Sequence, residues 1–167
     1  MSRGFVKEGD QEEPPMIPPR ASLPPGMTNY VTPEGYDQLI QEKEGLVAER
    51  TSLNEENERE TRRKKTEIDG KLALLNERIN SARVLDVNDQ PKDEVRFGAS
   101  VTYQMGSKGP KTTLKIVGVD EANIKKKKVG FVAPIAKAMI GHKVGDDVVF
   151  SLGDEERKLK IKSIEYD

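Results

Sequence analysis

The chain of 167 residues contains no cysteine and no tryptophan, and it has no long apolar run. Without cysteine there is no disulfide, no thiol nucleophile and no cysteine-ligated zinc site. No segment approaches the roughly 20 apolar residues of a membrane-spanning helix. The polar start of the chain, residues 1–10, also lacks the apolar stretch of a secretory signal. These absences predict a cytoplasmic protein that does not bind a membrane.

Charge and polarity further limit the classes of function. Charged and hydrophobic residues each make up 34% of the chain, and the formal net charge is −1. So low an apolar share predicts a modest core beside elongated or disordered segments, and any nucleic-acid binding must come from local patches. His142 is the one histidine, so no pair of imidazoles can hold a metal. Neither a catalytic triad nor a phosphate-binding loop is indicated, and we expect no enzyme, no metal site and no cofactor of its own.

Proline dominates the first 29 residues. Six prolines fall in this segment, and its apolar side chains are sparse. Each proline removes a backbone donor and biases the preceding residue away from the helix. We interpret residues 1–29 as a disordered, proline-rich tail, and a docking strap is the alternative.

A helix is predicted to begin at Thr32-Pro33-Glu34. Thr32 can cap the helix, Pro33 suits its first position and Glu34 suits the positive end of the helix dipole. Residues at alternating spacings of three and four then form a coiled-coil seam, in which two positions are charged. These residues are Tyr36, Leu39, Lys43, Leu46, Arg50 and Leu53.

A second seam of the same spacing follows. It runs through Lys65, Ile68, Leu72, Leu75, Ile79 and Ala82. The numbers of residues paired across the two seams add up to a constant, as for Leu39 with Ile79 and Arg50 with Ile68, and an antiparallel hairpin produces this symmetry. Its turn is predicted within 54–62, at Asn54 or Asn57, because asparagine tolerates turn conformations. One continuous helix over residues 33–83, with a seam that needs a partner chain, is the alternative.

From Phe97 the pattern changes to short segments rich in β-branched residues, separated by turns with glycine or charged residues. The five predicted strands are 99–105, 112–117, 129–132, 147–152 and 158–164, with a short helix at 134–140. The expected organisation is a hairpin over 30–86, a linker over 87–96, and an antiparallel sheet domain with one short helix over 97–167.

Four short motifs in the second half of the chain carry a family resemblance. They are Phe97-Gly98-Ala99 with Val101, Ile116-Val117-Gly118 before Asp120-Glu121, 133–141 before 144–148, and Ile164-Glu165-Tyr166. Together they resemble the C-terminal domain of the bacterial GreA/GreB transcript cleavage factors, and a helical hairpin before this domain completes the architecture of that family. The resemblance implies an α+β fold, in which an antiparallel α-helical coiled-coil hairpin precedes an FKBP-like antiparallel β-sheet domain.

The same resemblance implies a function. In that family the C-terminal domain binds RNA polymerase at the rim of its secondary channel, and the hairpin enters the channel. Acidic residues at the tip help to hold a magnesium ion near the polymerase active centre, where the polymerase cleaves the RNA of a backtracked complex. The resemblance implies a monomeric transcription elongation factor whose partner is RNA polymerase in a transcribing complex of DNA and RNA. Any magnesium would be shared with the polymerase.

The candidate residues at the hairpin tip are Glu55, Glu56, Asn57 and Glu58. Only Glu56-Asn57 matches the tip motif of the family, which is Gly-Asp-x-x-Glu-Asn-x-x-Tyr. The hairpin is also shorter by about a dozen residues overall. Half of that number in each arm removes about 9 Å of reach at 1.5 Å per residue. A metal–ligand bond of about 2 Å does not tolerate such a displacement. Two versions of the function therefore stay open, namely stimulation of cleavage and occupation of the channel without cleavage.

Two further sets of candidates follow. The candidates for docking onto the polymerase are Asp120, Glu121, Pro134, Ile135, Ala136, Gly141 and His142. The basic run Arg62, Arg63, Lys64 and Lys65 is a candidate for contact with phosphates or with the polymerase. Pairing with acidic residues one turn away, such as Glu58 with Arg62, is the ordinary alternative for that run.

Two functions from other classes are weighed against this one. An FKBP-like domain makes peptidyl-prolyl isomerase activity an alternative function. Such an activity needs an aromatic-lined pocket, but most aromatic residues here lie on predicted strands as core. A coiled-coil adaptor would bind a partner helix through its seam, whereas the predicted hairpin already satisfies that seam itself.

Overall fold

The structure, a computed structural model, describes residues 13–54 and 56–167, and the candidate Glu55 and tail residues 1–12 lie outside these ranges. Within them the chain forms two long helices, a short helix, a two-stranded sheet and a five-stranded sheet, which is the predicted α+β class. No helix in these ranges is long and apolar enough to cross a membrane.

The helices and strands follow one another in the order predicted, with one additional pair of strands. They are β1 Asn29–Val31, α1 Pro33–Thr51, α2 Glu58–Ser81, β2 Ala82–Val84, β3 Ser100–Met105, β4 Lys111–Val117, β5 Lys128–Gly130, α3 Pro134–Met139, β6 Asp147–Leu152 and β7 Glu155–Glu165. Single turns of 3-10 helix lie at Val87–Asp89, Val119–Glu121 and Ile124–Lys126.

Helix α1 begins as the sequence predicts. The Thr32 hydroxyl accepts a hydrogen bond from the Gly35 amide at 2.9 Å, and Pro33 occupies the first helical position. Helix α1 ends at Thr51 and α2 begins at Glu58. The connection lies partly inside the predicted interval and begins two residues before it, so the alternative of one continuous helix is wrong.

The two helices pack side by side through an apolar seam. Leu39 and Leu75 are buried at its centre, with Tyr36 and Ile79 packed against them. Residues near the start of α1 therefore meet residues near the end of α2, which makes the pair antiparallel. The charged position Arg50 lies outside the buried seam.

Arg50 instead forms an exposed ion pair across the hairpin. Its Nε atom lies 2.7 Å from a carboxylate oxygen of Asp69, one position beyond the predicted partner Ile68. The hydrogen bond from Arg50 lowers the pKa of Asp69 below its usual value. A charged seam position is thus tolerated because its side chain reaches past the apolar contact to a carboxylate in water.

A short parallel ladder that the sequence did not predict closes the base of the hairpin. Strand β1 pairs with β2 over three residues, from Asn29 opposite Ala82 to Val31 opposite Val84. Strands of three residues are too short to show the alternation of apolar and polar residues by which a strand is predicted. The ladder holds the chain that enters α1 beside the chain that leaves α2.

The larger sheet has the order β5-β4-β3-β7-β6. Its pairs are antiparallel except β4 with β5, which is parallel. The prediction of a purely antiparallel sheet is wrong at this edge, because residues 118–127 cross back through two single turns instead of a hairpin turn. The opposite edge is a tight hairpin at Gly153, whose φ of +65° suits glycine.

The core lies on one face of this sheet and extends into the predicted linker. Ala136 and Met139 of α3 are fully buried against it. Val95 is also fully buried, and its backbone exchanges hydrogen bonds of 2.8 Å with His142 and Gly141. The last residues of the predicted linker, 87–96, therefore belong to the sheet domain.

The described part of the proline-rich tail packs on the protein. Ile17 lies against α2 at Gly70, and Leu23 packs on the main core. The interpretation of residues 1–29 as disordered is therefore wrong for 13–28, and the alternative of a docking strap describes them. Their prolines leave few backbone donors unpaired, so this segment can lie extended on a surface without joining a sheet.

We predict that Leu75→Ala lowers the free energy of unfolding by about 2–5 kcal/mol, because it opens a cavity in the buried seam between α1 and α2. Leu152→Ala is the matched control, since Leu152 is 53% exposed, and its effect should stay within about 0.5 kcal/mol. Urea unfolding followed by circular dichroism measures both. Equal transition midpoints for the two variants would contradict the packing described here.

Candidate functional site

The hairpin tip is held by its own polar side chains. The Asn54 side chain accepts a hydrogen bond from the Glu56 amide at 2.9 Å, and that of Asn57 accepts one from the Glu60 amide at 3.1 Å. The Thr61 hydroxyl donates to the Asn54 carbonyl. These bonds satisfy backbone groups at the start of α2. Polar side chains thus bind backbone groups on both sides of a turn that contains no glycine.

The tip presents acidic side chains to solvent. Glu56, Glu58 and Glu60 are exposed in or just before the first turn of α2, where the positive end of the helix dipole favours negative charge. The structure thus brings together the predicted tip candidates Glu56, Asn57 and Glu58, with Asn57 committed to capping the helix.

These carboxylates do not form a metal site of their own. Across residues 13–54 and 56–167, no three His, Cys, Asp or Glu side chains converge closely enough to hold a metal ion. The described tip residues therefore do not fit a resident magnesium ion.

The predicted basic run follows directly after the acidic turn. Arg62, Arg63 and Lys64 are exposed and Lys65 is half-buried. Arg63 donates a hydrogen bond of 2.9 Å to the Glu13 carbonyl, so part of the run contacts the chain itself. The hairpin end thus carries an acidic tip with a basic turn behind it.

The predicted docking residues near α3 divide between surface and core. Pro134 and Gly141 are exposed, and Ile135 and His142 are half-buried. Ala136 is fully buried, so the prediction that it contacts a partner is wrong. A helix of six residues is too short for the spacing of its apolar residues to show which side chains are buried.

His142 is fixed within its loop by Asp146. The His142 Nδ1 atom lies 3.3 Å from the Asp146 carboxylate, which also accepts the Lys143 amide at 2.9 Å. The hydrogen bond from Lys143 is the main cause of a lowered pKa of Asp146. The imidazole stays partly exposed beside Gly141, where a partner can reach it.

Asp120, another predicted docking residue, is buried inside the molecule. Its side chain is 4% exposed and lies between two arginines, with Arg20 Nε at 2.9 Å and Arg78 Nη1 at 3.1 Å. Arg20 comes from the proline-rich segment and Arg78 from α2. Asp120 therefore joins three parts of the chain, and the prediction that it docks onto a partner is wrong.

Glu121 is likewise internal. It accepts hydrogen bonds from the Thr32 amide and the Gly118 amide, each at 3.0 Å, and from the Thr32 hydroxyl. A Cβ atom at Gly35 would overlap the Glu121 carboxylate. Glu121 thus fastens the start of α1 to the sheet domain, and the prediction that it docks onto a partner is wrong. No local pattern indicates this contact, because Thr32 and Glu121 are 89 positions apart.

We predict that Glu121→Ala lowers the free energy of unfolding by at least about 1–3 kcal/mol, because it leaves the buried Thr32 and Gly118 amides without their acceptor. Glu156→Ala is the control, since Glu156 is exposed on β7. Thermal unfolding followed by circular dichroism compares the two. A Glu121→Ala protein as stable as the control would show that the carboxylate does not join the two parts.

Comparison with known proteins adds to this geometry. A family model described as "Transcription elongation factor, GreA/GreB, C-term" matches residues 90–166. That range begins before Phe97 and includes Val95, in agreement with the extent of the packed sheet domain.

Individual relatives extend the similarity into the hairpin. Transcription elongation factor GreB of Neisseria meningitidis serogroup A is 31% identical over 154 residues, which cover 83% of this chain and 94% of GreB. Transcription elongation factor GreA of Anaeromyxobacter sp. (strain K) is 37% identical over 103 residues. That alignment covers 62% of each protein, so the chain spans less than two thirds of this GreA.

Solved structures are also similar to this chain. The GreA factor homolog 1 protein of Thermus thermophilus has 19% identity and a TM-score of 0.39, covering 83% of this chain and 99% of its own. The elongation factor GreA/GreB from Nitrosomonas europaea has 18% identity and a TM-score of 0.41, covering 82% and 98%.

Proposed function

Since the chain belongs to the GreA/GreB family of transcription elongation factors, we propose that it binds RNA polymerase at the secondary channel and regulates elongation. The observation that carries this proposal is the alignment with GreB, which includes both the hairpin and the sheet domain. The partner is then a transcribing complex of polymerase, DNA and RNA in the cytoplasm.

The shape of the hairpin supports entry into a channel. Helix α1 has 19 residues and α2 has 24, which correspond to about 28 and 36 Å at 1.5 Å per residue. The described seam is filled by the two helices themselves, so we propose a coiled-coil hairpin in a monomeric protein. This packing counts against an adaptor that must bind a third helix through the same seam.

We propose that the sheet domain, FKBP-like in fold, docks at the channel rim. The surface around Pro134, Gly141 and His142 supports this role, because Pro134 and Gly141 are exposed and the His142 side chain remains partly accessible beside them. Isomerase activity is disfavoured, because Phe97, Phe131 and Phe150 of the sheet domain are buried in the core.

For the tip we propose occupation of the channel without an enzymatic role of its own. Its exposed carboxylates then act as negative charges among the groups that line the channel. One observation supports this version, namely that the Asn57 side chain, part of the match to the family tip motif, is committed to capping α2. Stimulation of cleavage by the polymerase is the second candidate, and Glu56 favours it as an exposed match to the tip motif of the family.

We predict that the protein co-purifies with polymerase from the same organism and alters elongation, and that Glu55→Ala/Glu56→Ala weakens the effect while binding persists. The reason is that the tip acts within the channel while the sheet domain provides the docking contact. Stalled, backtracked complexes with labelled RNA give the readout. Asp37→Ala/Glu44→Ala is the matched control, because both of these residues are exposed on α1 away from the tip.

Short 3′ RNA fragments that vanish with the tip variant would support the cleavage version. Altered elongation without fragments would support channel occupation. A protein that neither binds polymerase nor changes elongation would contradict the proposed function altogether.

A further inference from the structure

A segment ahead of the hairpin, residues 13–23, lies along α2, and we call it the strap. Its Glu13 carbonyl accepts from Arg63, and its Ala21 carbonyl accepts from Arg78. The strap therefore runs parallel to α2. From Glu13 to Ala21 an extended proline-rich chain covers about 25 Å at about 3.1 Å per residue. The helix from Arg63 to Arg78 covers about 22 Å at 1.5 Å per residue, so the two lengths match.

Helix α2 carries a notch for the strap. A Cβ atom at Gly70 would lie 2.7 Å from both Cδ1 and Cγ1 of Ile17, closer than real contacts allow. Glycine is an unfavourable residue inside a helix. Its presence in the middle of α2 is explained by the Ile17 side chain that packs there.

Beyond this notch the strap ends in a charged junction. Arg20 Nη1 and Nη2 bind the Glu42 carboxylate of α1 at 2.7 and 3.2 Å, and Arg20 Nε binds Asp120 of the sheet domain at 2.9 Å. Arg78 of α2 binds the second oxygen of Asp120 at 3.1 Å. Arg20 thus ties the strap, the hairpin and the sheet domain together at one point.

This junction is a second attachment of the hairpin to the sheet domain. The first attachment is the hydrogen bond from the Thr32 amide, at the start of α1, to Glu121. Glu121 lies on the same single turn, Val119–Glu121, as Asp120. The Asp120 contacts are made instead by Arg78, near the end of α2, and by the strap. The sheet domain is thus attached to the start of α1 and to the last turns of α2. Attachment to both helices resists a change in the angle between the hairpin and the sheet domain that attachment to one helix would permit.

We propose that the strap is a positioning device, in which Arg20 holds the hairpin at a fixed angle to the sheet domain as long as the strap is seated in the notch at Gly70. Arg20 and Asp120 are positioning residues, since they act on the tip through the direction of the hairpin. The consequence for polymerase rests on the proposed function, whereas the fixed angle is a property of the free protein. A strap that leaves its notch would let the tip swing away from its place in the channel.

The first test measures the angle without polymerase. Because the chain has no cysteine, Glu49→Cys and Ser151→Cys place one spin label on the hairpin and one on the sheet domain. Pulsed electron spin resonance then reports the distance between them. We expect one narrow distance in the parent protein and its loss in Arg20→Ala.

The control for Arg20→Ala is Arg157→Ala. Arg157 forms its ion pair with Glu155, two residues away at an exposed turn, so its removal should leave the narrow distance unchanged. An Arg20→Ala protein with the parent distance distribution would overturn the proposal.

A second pair of variants tests the notch without touching any charge. Gly70→Ala should displace Ile17 and broaden the distance, although alanine itself favours the helix. Adding Ile17→Ala removes the clashing atoms and should restore the narrow distance. Broadening that persists in the double variant, or that never occurs in Gly70→Ala, would contradict the role of the notch.

The polymerase assay then separates positioning from docking. For Arg20→Ala and Gly70→Ala we expect a lower maximal effect on elongation, with the concentration for half the effect unchanged, and recovery of the maximal effect in Gly70→Ala/Ile17→Ala. An unchanged maximal effect despite a broadened distance would overturn the positioning role. If the parent protein has no effect on polymerase, the proposed function fails, and the spin-label distances alone decide whether the strap fixes the angle.

Discussion

The buried bonds between Glu121 and Thr32 determine how the hairpin and the sheet domain are joined. The Thr32 hydroxyl accepts from the Gly35 amide at the start of α1 and donates to Glu121, while the Thr32 amide donates to the same carboxylate. Burial makes each of these bonds costly to lose. They fit only because Gly35 and Gly118 have no side chain, since a Cβ atom at Gly118 would lie 2.6 Å from the Tyr30 carbonyl.

Aromatic packing continues this joint into the core. Tyr30 of β1 lies with its ring centre 6.0 Å from that of Phe97 and 5.7 Å from that of Phe131. The strand that leads into α1 thus contributes a ring to the core of the sheet domain. The position of the distant tip depends on such a base, because any rotation there is multiplied along helices of about 28 and 36 Å at 1.5 Å per residue.

Acidic residues have opposite roles at the two ends of the hairpin. Glu56 and Glu58 at the tip face solvent, where a partner can meet them. Asp120 and Glu121 at the base are buried among arginine, amide and hydroxyl donors of the same chain. Residue type and family motif could not separate these roles, because a short Asp-Glu sequence looks the same whether its partners lie in another protein or elsewhere in the fold.

The sequence by itself determined the features that depend on local patterns. A cap at Thr32, the three–four spacing of the two seams and the alternation of β7 predicted the helices, their antiparallel pairing and most strands, because these signals lie within a few turns or residues. Tertiary structure decided the parallel edge β5, the docking of the strap and the internal use of Asp120, Glu121 and Ala136. Arg20 and Asp120 are 100 positions apart, and a proline-rich segment becomes ordered only where a notch such as Gly70 receives it. Contacts of this kind depend on surfaces that exist only after both halves have folded.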